Sequence, residues 1–322
     1  MKIRRKTQQC LNCGLTLNTV YHYCPRCGQE NNNQTDVSFG TFVKEFFSNY
    51  FSFDTRIGRS IRPLFFKPGF LTNRFNEGKR VEYIHPLRMY LVVSLSFFFL
   101  VTLSSNSAIT EFTTGAEDRF VRGFSSEIMG IPLDSVTSDS TEQIRQIILD
   151  KSLTNQEALD SLATLEYDSL PKTWQQRKIF SQARKMALYG LLPFISTAIR
   201  NLPIILLIAM PIFALLLKLL YIRRRQYYVQ HLAHTLHIHS FTLLLFCPLI
   251  IIKWLGVSAA VVDYIEVAVV LLWLVYLIVS FRRVYQQGWG KTVTKVLLVN
   301  FMYSMLLSII FASEVVLSFF IA

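Results

Sequence analysis

The sequence predicts an all-α integral membrane protein with about five transmembrane helices and a small N-terminal zinc ribbon. Three observations support this class. The 322 residues are 52% hydrophobic and 17% charged, a composition too apolar for a soluble protein of this length. The apolar residues are concentrated in five runs, each close to the ~20 residues that a helix needs to cross a bilayer. Four of the five cysteines lie near the N-terminus, at spacings typical of a metal site.

Residues 1–30 are the predicted zinc ribbon. The motif Cys-x-x-Cys-Gly begins at Cys10 and again at Cys24, and the glycine of each copy permits the tight turn that directs both thiolates at one ion. Cys10, Cys13, Cys24 and Cys27 would complete a closed tetrahedral Zn²⁺ site. A closed site leaves no position for a substrate, so we expect structural zinc. Two disulfides or a redox pair are the alternatives, which a reducing cytoplasm disfavours.

Basic residues surround the cysteines and offset the negative charge of four thiolates. They are Lys2, Arg4, Arg5, Lys6 and Arg26. Such residues could also contact nucleic acid or anionic lipid. A ribbon tethered to a membrane more often docks onto a protein or the lipid surface, so we expect a cytoplasmic protein partner and do not expect nucleic acid.

A polar linker at residues 31–38 separates the ribbon from an amphipathic, interfacial cytoplasmic segment at residues 39–86. Apolar residues at helical spacing form one continuous stripe in the first part of this segment. They are Phe39, Phe42, Val43, Phe46, Phe47, Tyr50 and Phe51. A helix of this kind lies in the lipid headgroup region or packs on the transmembrane helices, and its position before a membrane domain favours the first.

The five apolar runs define the predicted spans. Their bounds are 87–104, 201–222, 231–252, 260–281 and 296–321. Lys and Arg are abundant before the first span, between the second and third, and between the fourth and fifth, so the positive-inside rule places all three blocks in the cytoplasm. We therefore expect a multi-pass protein of the inner membrane, with the N-terminus cytoplasmic and the C-terminus at the outer face. The short apolar stretch 186–199 is interpreted as interfacial, or as the helix that leads into the second span. A sixth span at this position would put the N-terminus and the basic block between the second and third spans on opposite sides of the membrane.

Residues 105–200 form a predicted insertion on the outer side. Ser140 to Gln143 resemble a capping box that opens a helix, a second helix is expected at 156–165, and a third after Pro171. The insertion contains no cysteine, so no disulfide can brace it. We expect a small helical domain that shields the outer ends of the spans or meets a partner.

Five histidines lie at or within the predicted membrane segments. His85 precedes the first span, while His231, His234, His237 and His239 fall at the start of the third. At 100° per residue, one helix cannot direct all four at a single ion. We predict an inner-leaflet cluster of His85, His231 and His234, with His237 or His239 facing another helix. The cluster either handles protons or a metal, or hydrogen-bonds across helices for structure.

Basic residues form a dense belt on the cytoplasmic side. Arg56, Arg59, Lys79, Arg80 and Arg88 are candidate contacts for anionic lipid headgroups or phosphate. Anchoring to anionic lipid is the simpler interpretation, and the alternative is a binding pocket whose loop is the Gly-Lys-Arg sequence at 78–80. No Walker or dinucleotide glycine pattern occurs, so nucleotide binding has no support.

Three acidic residues lie toward the predicted outer face. Asp263 and Glu266 are near the outer end of the fourth span, and Glu314 is in the outer half of the fifth. Together with the histidines of the opposite face they could bracket a permeation route for a small ion. They could equally be ordinary rim residues.

Two segments resemble a bacterial domain-of-unknown-function family of N-terminal zinc-ribbon, multi-spanning membrane proteins. The first segment is residues 53–94, and its matching features are Asp54, Arg56, Arg59, the Pro68-Gly69 turn, Gly78-Lys79-Arg80, Tyr83 and His85-Pro86-Leu87-Arg88. The second is "RRRQYYVQHLAHTLHIHSF", residues 223–241, in which His231 and the pair His237 and His239 stand out. The resemblance implies the architecture and implies no reaction, because the family has no established activity.

Two classes of function fit these features. In the first, the protein is a scaffold whose ribbon recruits a cytoplasmic partner to an anchored helical bundle. In the second, it transports or senses protons, metal or a small ion through the histidines and carboxylates. A membrane enzyme that acts on lipid is the third and least favoured class, because no nucleophile–base motif is present, and we assign no catalytic residue.

Overall fold

Helices make up nearly all of the structure that follows the N-terminal ribbon. A computed structural model describes residues 7–18, 20–31, 38–48, 56–104 and 192–321, together with scattered positions between 146 and 181. Within these ranges the ribbon has two isolated bridges, Gln9 with Thr16 and Tyr23 with Glu30, and contains no strand. The predicted class is confirmed, because the described chain is all-helical with a four-cysteine cluster near its N-terminus.

The chain divides into two compact units. The first contains residues 1–101 and 203–307, and the second contains residues 102–202 and 308–322. The ribbon, the short helices that follow it and the membrane histidines all belong to the first unit.

Among the described residues, five helices are long and apolar enough to cross a membrane, which agrees with the five candidate spans of the sequence. The first, α4, is Pro86–Ser104. The others are α5 (Leu192–Leu220), α6 (Tyr228–Trp254), α7 (Ala259–Tyr285) and α8 (Trp289–Ile321). Many large aliphatic side chains on these helices face outward, as expected of a surface whose solvent is lipid.

Three short helices precede the first span in the described part of the chain. They are α1 (Phe39–Ser48), α2 (Arg56–Phe66) and α3 (Phe70–Asn76). Phe42 and Phe46 of α1 are buried, and Phe42 shares a hydrophobic core with side chains of α6. The apolar stripe of α1 therefore packs on the protein, the less favoured of the two placements expected from the sequence. Tyr50 and Phe51 lie outside the described residues.

The turn between α2 and α3 is pressed against α7. Gly69 adopts φ = 76°, and a Cβ there would lie 3.0 Å from the carbonyl oxygen of Ser280, so only glycine combines this backbone with this approach. The hydroxyl of Tyr276 donates to the Leu64 carbonyl at 2.6 Å, which satisfies an acceptor near the end of α2. The Tyr276 ring also stacks on Phe241 of α6, with centroids 3.4 Å apart. These contacts fix the α2–α3 hairpin onto both α6 and α7.

The predicted outer insertion lies mostly outside the described residues. The capping box at Ser140 and the helix expected after Pro171 fall outside the described residues, apart from single positions. Residues 192–199 of the short apolar stretch are the first turns of α5, and residues 186–191 lie outside the described ranges.

Candidate functional site

Four cysteine sulfurs converge in the ribbon. The Sγ atoms of Cys10 and Cys27 are 3.5 Å apart, those of Cys13 and Cys24 are 3.6 Å apart, and all four lie within 4.8 Å of one another. Sulfurs about 2.3 Å from a tetrahedral ion would be about 3.8 Å apart, so the spacing fits one metal ion. All four are free thiols, which excludes the disulfide alternative for this structure. Among the described residues they are the one group of three or more potential ligands that could hold a metal.

The two cysteine motifs have the same backbone. Gly14 and Gly28 take φ values of 75° and 72°, and each donates its N–H at 2.9 Å to the carbonyl of the first cysteine of its own motif. The positive φ explains why glycine follows each Cys-x-x-Cys. The sequence therefore predicted this local geometry correctly.

The surroundings of the thiols favour a bound cation. Burial opposes ionisation of Cys24, but the backbone N–H groups of Cys27 and Arg26 outweigh it and lower the pKa of this thiol to about 7. Burial, and hydrogen bonding among the crowded thiols, raise the pKa of Cys27 to about 12. One thiolate therefore forms near neutral pH, and a metal ion would supply the positive charge that displaces the remaining protons.

Gln29 joins the ribbon to the segment between α3 and α4. Its side chain is almost fully buried, its Nε2 donates to the Gly78 carbonyl at 3.0 Å, and its Oε1 accepts from the Arg80 backbone N–H at 3.1 Å. Each Cys-x-x-Cys-Gly turn is called a knuckle below. Leu11 of the first knuckle also contacts this turn, because its Cδ1 would lie 2.9 Å from a Cβ at Gly78. Gly78 has φ = 83°, so the turn needs glycine for its backbone as well as for this contact. Both knuckles thus rest on the turn at 77–80.

The predicted cationic residues have different surroundings. Arg56 donates from Nη1 to the Val81 carbonyl at 3.1 Å, Arg59 is exposed, and Arg88 is buried. Lys79 pairs with Glu77 at 3.0 Å, and the guanidinium of Arg80 lies 3.5 Å from the ring centroid of Phe75. The belt is therefore partly structural. Asp54 lies outside the described residues.

A small pocket of about 20 Å³ lies between this turn and α6. Its polar lining consists of Arg74, Lys79, Arg80, Tyr83, His85 and His237, and apolar side chains of α3 and the start of α4 complete the wall. The pocket therefore brings two of the predicted cations together with two of the predicted histidines.

His85 is enclosed in this pocket without a polar partner. Its ring centroid is 4.4 Å from that of Phe42, and neither ring nitrogen has a hydrogen-bond partner among the described residues. Burial, together with the nearby positive charge of Arg80 and Arg88, lowers the pKa of His85 to about 3. The imidazole is therefore neutral at physiological pH and has one N–H to donate and one lone pair to accept.

Two of the histidines of α6 meet at one tyrosine of α7. Nδ1 of His231 is 2.9 Å from the Tyr285 hydroxyl, and Nδ1 of His234 is 3.4 Å from the same oxygen. His234 also bonds through Nε2 with Ser280 Oγ at 3.0 Å. All these groups are buried, so His231, Tyr285, His234 and Ser280 form a continuous polar chain between α6 and α7.

The other two histidines of α6 face different helices. Nδ1 of His237 is 2.9 Å from Thr72 Oγ1 on α3, and Nε2 of His239 is 3.0 Å from the Tyr303 hydroxyl on α8. His85 and His237 line one pocket, while His231 and His234 share the hydroxyl of Tyr285. Helices α3, α7 and α8 each contact α6 at different histidines, so the four histidines of this one helix have different neighbours.

The three acidic residues have different surroundings. Glu266 pairs with Lys253, Glu314 accepts a hydrogen bond from Asn201, and Asp263 is exposed. The first pair joins α6 to α7, and the second lies within the second unit. Glu266 and Glu314 thus each bind one neighbouring polar side chain.

Sequence reasoning missed Gln29, Tyr285 and Thr72. Each is an ordinary polar residue whose partner is far away in the chain, 49 residues for the bond of Gln29 with Gly78. The one available signal was the position of Gln29, directly after the second Cys-x-x-Cys-Gly motif, where the first motif has Leu15.

Comparisons with known proteins support part of the resemblance. The family model described as "Protein of unknown function (DUF3667)" matches residues 54–98. This match covers the first of the two segments that carry the resemblance and nearly all of the pocket lining, and it does not reach the second segment at 223–241. No curated protein and no solved structure matches the chain. The chain is therefore similar, over residues 54–98, to a family that has no assigned function.

Proposed function

We propose that this is a multi-pass protein of the bacterial inner membrane whose cytoplasmic ribbon holds one structural Zn²⁺ and serves as a fixed docking platform for a cytoplasmic protein. The observation that carries the proposal is the attachment of the ribbon to the turn at 77–80 through Gln29. A flexibly tethered ribbon would only bring a partner near the membrane. A ribbon held by both knuckles presents its free face in a defined orientation.

The choice of zinc rests on the ligand set. Four thiolates at tetrahedral spacing are the preferred ligands of structural Zn²⁺, and they leave no open position for a substrate. Basic residues in the chain around the knuckles offset the net negative charge of such a site. The proposed role of the metal is to hold the two knuckles together.

The face offered to a partner carries large apolar side chains. Val20 and Tyr23 are 74% and 63% exposed, and Tyr21 is about half exposed, although all three belong to a ribbon of only some 30 residues. Tyrosine is enriched in protein interfaces because one ring supplies both apolar area and a hydroxyl. These residues, here called the ribbon face, are separate from the Leu11 and Gln29 contacts that hold the ribbon down.

The orientation of the chain follows from its charge distribution. If five helices cross the bilayer, all three blocks of Lys and Arg share one side, and the positive-inside rule then supports a cytoplasmic ribbon and an Ala322 at the outer face. Reporter fusions test this arrangement directly. A reporter after Ala322 should be active only as an outer-face fusion, and a cytoplasmic signal would overturn the assignment.

The platform is tested by comparing proteins cross-linked to the full-length chain in native membranes. Replacing Val20, Tyr21 and Tyr23 together by serine, or Cys10 by serine, should remove the same set of cross-linked proteins. A His234→Phe variant should retain that set, because His234 lies in the membrane. If the serine variants and the wild-type chain capture the same proteins in equal amounts, the proposed docking role of the ribbon is wrong.

Proton handling is a second candidate, favoured by the buried polar chain between α6 and α7. The chain from His231 to Ser280 ends beside a small cavity of about 10 Å³ that Thr72 and His237 also line. A cavity of this size is about that of one water molecule, which could connect Ser280 with Thr72. Imidazoles and hydroxyls joined in this way can pass protons in sequence.

The second candidate is tested with the full-length protein in liposomes that contain a pH-sensitive dye. Under an imposed membrane potential, the wild-type chain should conduct protons, and Ser280→Ala and His234→Phe should each reduce the flux severalfold or more. His22→Phe, an exposed change in the ribbon, is the matched control and should leave the flux unchanged. A wild-type flux no larger than that of empty liposomes would exclude this role.

A further inference from the structure

We propose that the pocket lined by Arg74, Lys79, Arg80 and His85 binds the terminal oxygens of a phosphate group, supplied by free phosphate or by a lipid headgroup. This inference does not depend on the platform proposed for the ribbon. It rests on the charge of the pocket, the unpartnered imidazole at its wall, its size and its position in the chain.

The polar lining of the pocket is cationic. Arg74, Lys79 and Arg80 contribute three positive charges, and none of the lining residues is acidic. Glu77, just outside the lining, already accepts contacts from Arg74 at 3.3 Å and from Lys79 at 3.0 Å. A single exposed carboxylate thus meets two of the three cations. A phosphate group, with more charge and more acceptor oxygens, is suited to all three.

His85 supplies a donor at the inner wall. Both of its ring nitrogens are enclosed and have no hydrogen-bond partner among the described residues, whereas enclosed polar atoms in folded proteins are nearly always paired. The neutral imidazole can donate its N–H to a phosphate oxygen. Its aromatic neighbours, Phe42 and Phe75, hold the ring in place.

The cations are positioned before any ligand arrives. The guanidinium of Arg80 lies over the ring of Phe75, and the backbone N–H of Arg80 donates to Gln29 of the ribbon. A donor fixed in this way loses little conformational freedom when an anion binds. The ribbon therefore also supports the pocket, since it fixes the backbone between Gly78 and Arg80.

The size and position of the pocket limit the ligand. A space of about 20 Å³ admits one or two oxygen atoms and excludes a nucleotide base. The pocket lies directly before Pro86, where α4 begins, at the level where a spanning helix meets the headgroup region. The ligand is thus a phosphate group whose oxygens enter the pocket while anything attached to it stays outside.

The test uses the full-length protein with ¹⁵N-labelled histidine rings in maltoside micelles, which contain no phosphate. The ring signals of His85, identified by their absence in His85→Phe, should shift in a saturable manner when inorganic phosphate is added. A second arm uses nanodiscs with and without phosphatidic acid. A shift with free phosphate supports a site open to the free ion, and a shift only with phosphatidic acid supports a headgroup site.

Two variants separate the pocket from general charge attraction. Lys79→Gln should weaken the binding of the active probe about tenfold, since it removes one charge-assisted contact. Arg225→Gln removes the same charge from an exposed turn and should leave the affinity unchanged. No shift with either probe, or equal weakening by the two variants, would overturn the proposal.

Discussion

Substitution of Gln29 by alanine should release the ribbon from the membrane domain. The change removes both hydrogen bonds that join Gln29 to Gly78 and Arg80, and it leaves a backbone carbonyl and a backbone N–H without these partners. Each such bond contributes about 1 kcal/mol net, so the docked state should lose about 2 kcal/mol. A change of 1.4 kcal/mol is tenfold in an equilibrium constant, and the undocked population should rise about 30-fold.

Tryptic cleavage after Lys79 and Arg80 measures this population in the full-length protein. Cleavage of a transiently opened segment follows the population of the open form when reclosing is fast. Cleavage after Arg225, in an exposed turn, serves as the internal reference. Gln29→Ala should accelerate the first cut about 30-fold relative to the second, whereas Gln9→Ala, an exposed change in the same ribbon, should not. Equal rates for the two variants would refute the docking argument.

A glycine pair provides an independent arm of the same experiment. Gly78 and Gly256 both have positive φ, so alanine at either position costs about 1 kcal/mol in backbone strain. Only at Gly78 would the new Cβ also meet Leu11, at 2.9 Å, while nothing lies within 4 Å at Gly256. Gly78→Ala should therefore increase cleavage after Arg80, and Gly256→Ala should leave it unchanged.

Three further outcomes follow from the described contacts. Cys27→Ser should reduce bound zinc in the full-length protein from one equivalent to a small fraction of one by metal analysis, and full retention would contradict a four-thiolate site. Tyr285→Phe removes the hydroxyl shared by His231 and His234 and should lower the free energy of unfolding by about 2 kcal/mol, which is measured as a Tm several degrees lower. Tyr264→Phe, at an exposed position of the same helix, should change the Tm little, and equal effects of the two variants would exclude the shared bond. The pKa of His85 is about 3 in the folded chain and about 6.5 in the unfolded chain, so the unfolded chain binds the proton first as pH falls, and the folded chain loses stability below pH 6.5. Between pH 7.5 and 5 in phosphate-free buffer, the free energy of unfolding of the wild type should therefore fall by about 1–2 kcal/mol more than that of His85→Phe. An equal fall in the two proteins would contradict burial of a neutral ring.

The features that the sequence predicted well are those with a local cause. The cysteine motifs specify their own turns through Gly14 and Gly28, and the five long apolar runs each form a described helix that is long and apolar enough to cross a membrane. Both depend on residues that are close together in the chain. The four cysteines that could hold a metal ion were therefore identifiable without knowledge of the tertiary fold.

The contacts that organise the pocket and the histidines depend on tertiary packing. The α2–α3 hairpin lies against α6 and α7, which gives His237 a partner in Thr72. His85 and His237 accordingly line the same pocket, while His231 and His234 both contact the hydroxyl of Tyr285. The spacing of the histidines shows that they point in different directions around α6, but it contains no information on which helix packs against each turn. The expected cluster of His85, His231 and His234 therefore stays a prediction, whereas the contacts of His237 with Thr72 and of His231 and His234 with Tyr285 become visible only in the packed helices.

The central claim is that a metal-bound ribbon is fixed to the membrane domain as one structural element. Hydrogen exchange of the full-length protein in nanodiscs, before and after removal of the metal by a chelator, tests it most directly. We expect the amides of residues 10–31 and those of residues 77–81 to lose protection together, because the ribbon folds around its metal and then holds the turn through Gln29. Loss of protection in the ribbon with no change at residues 77–81 would contradict the claim.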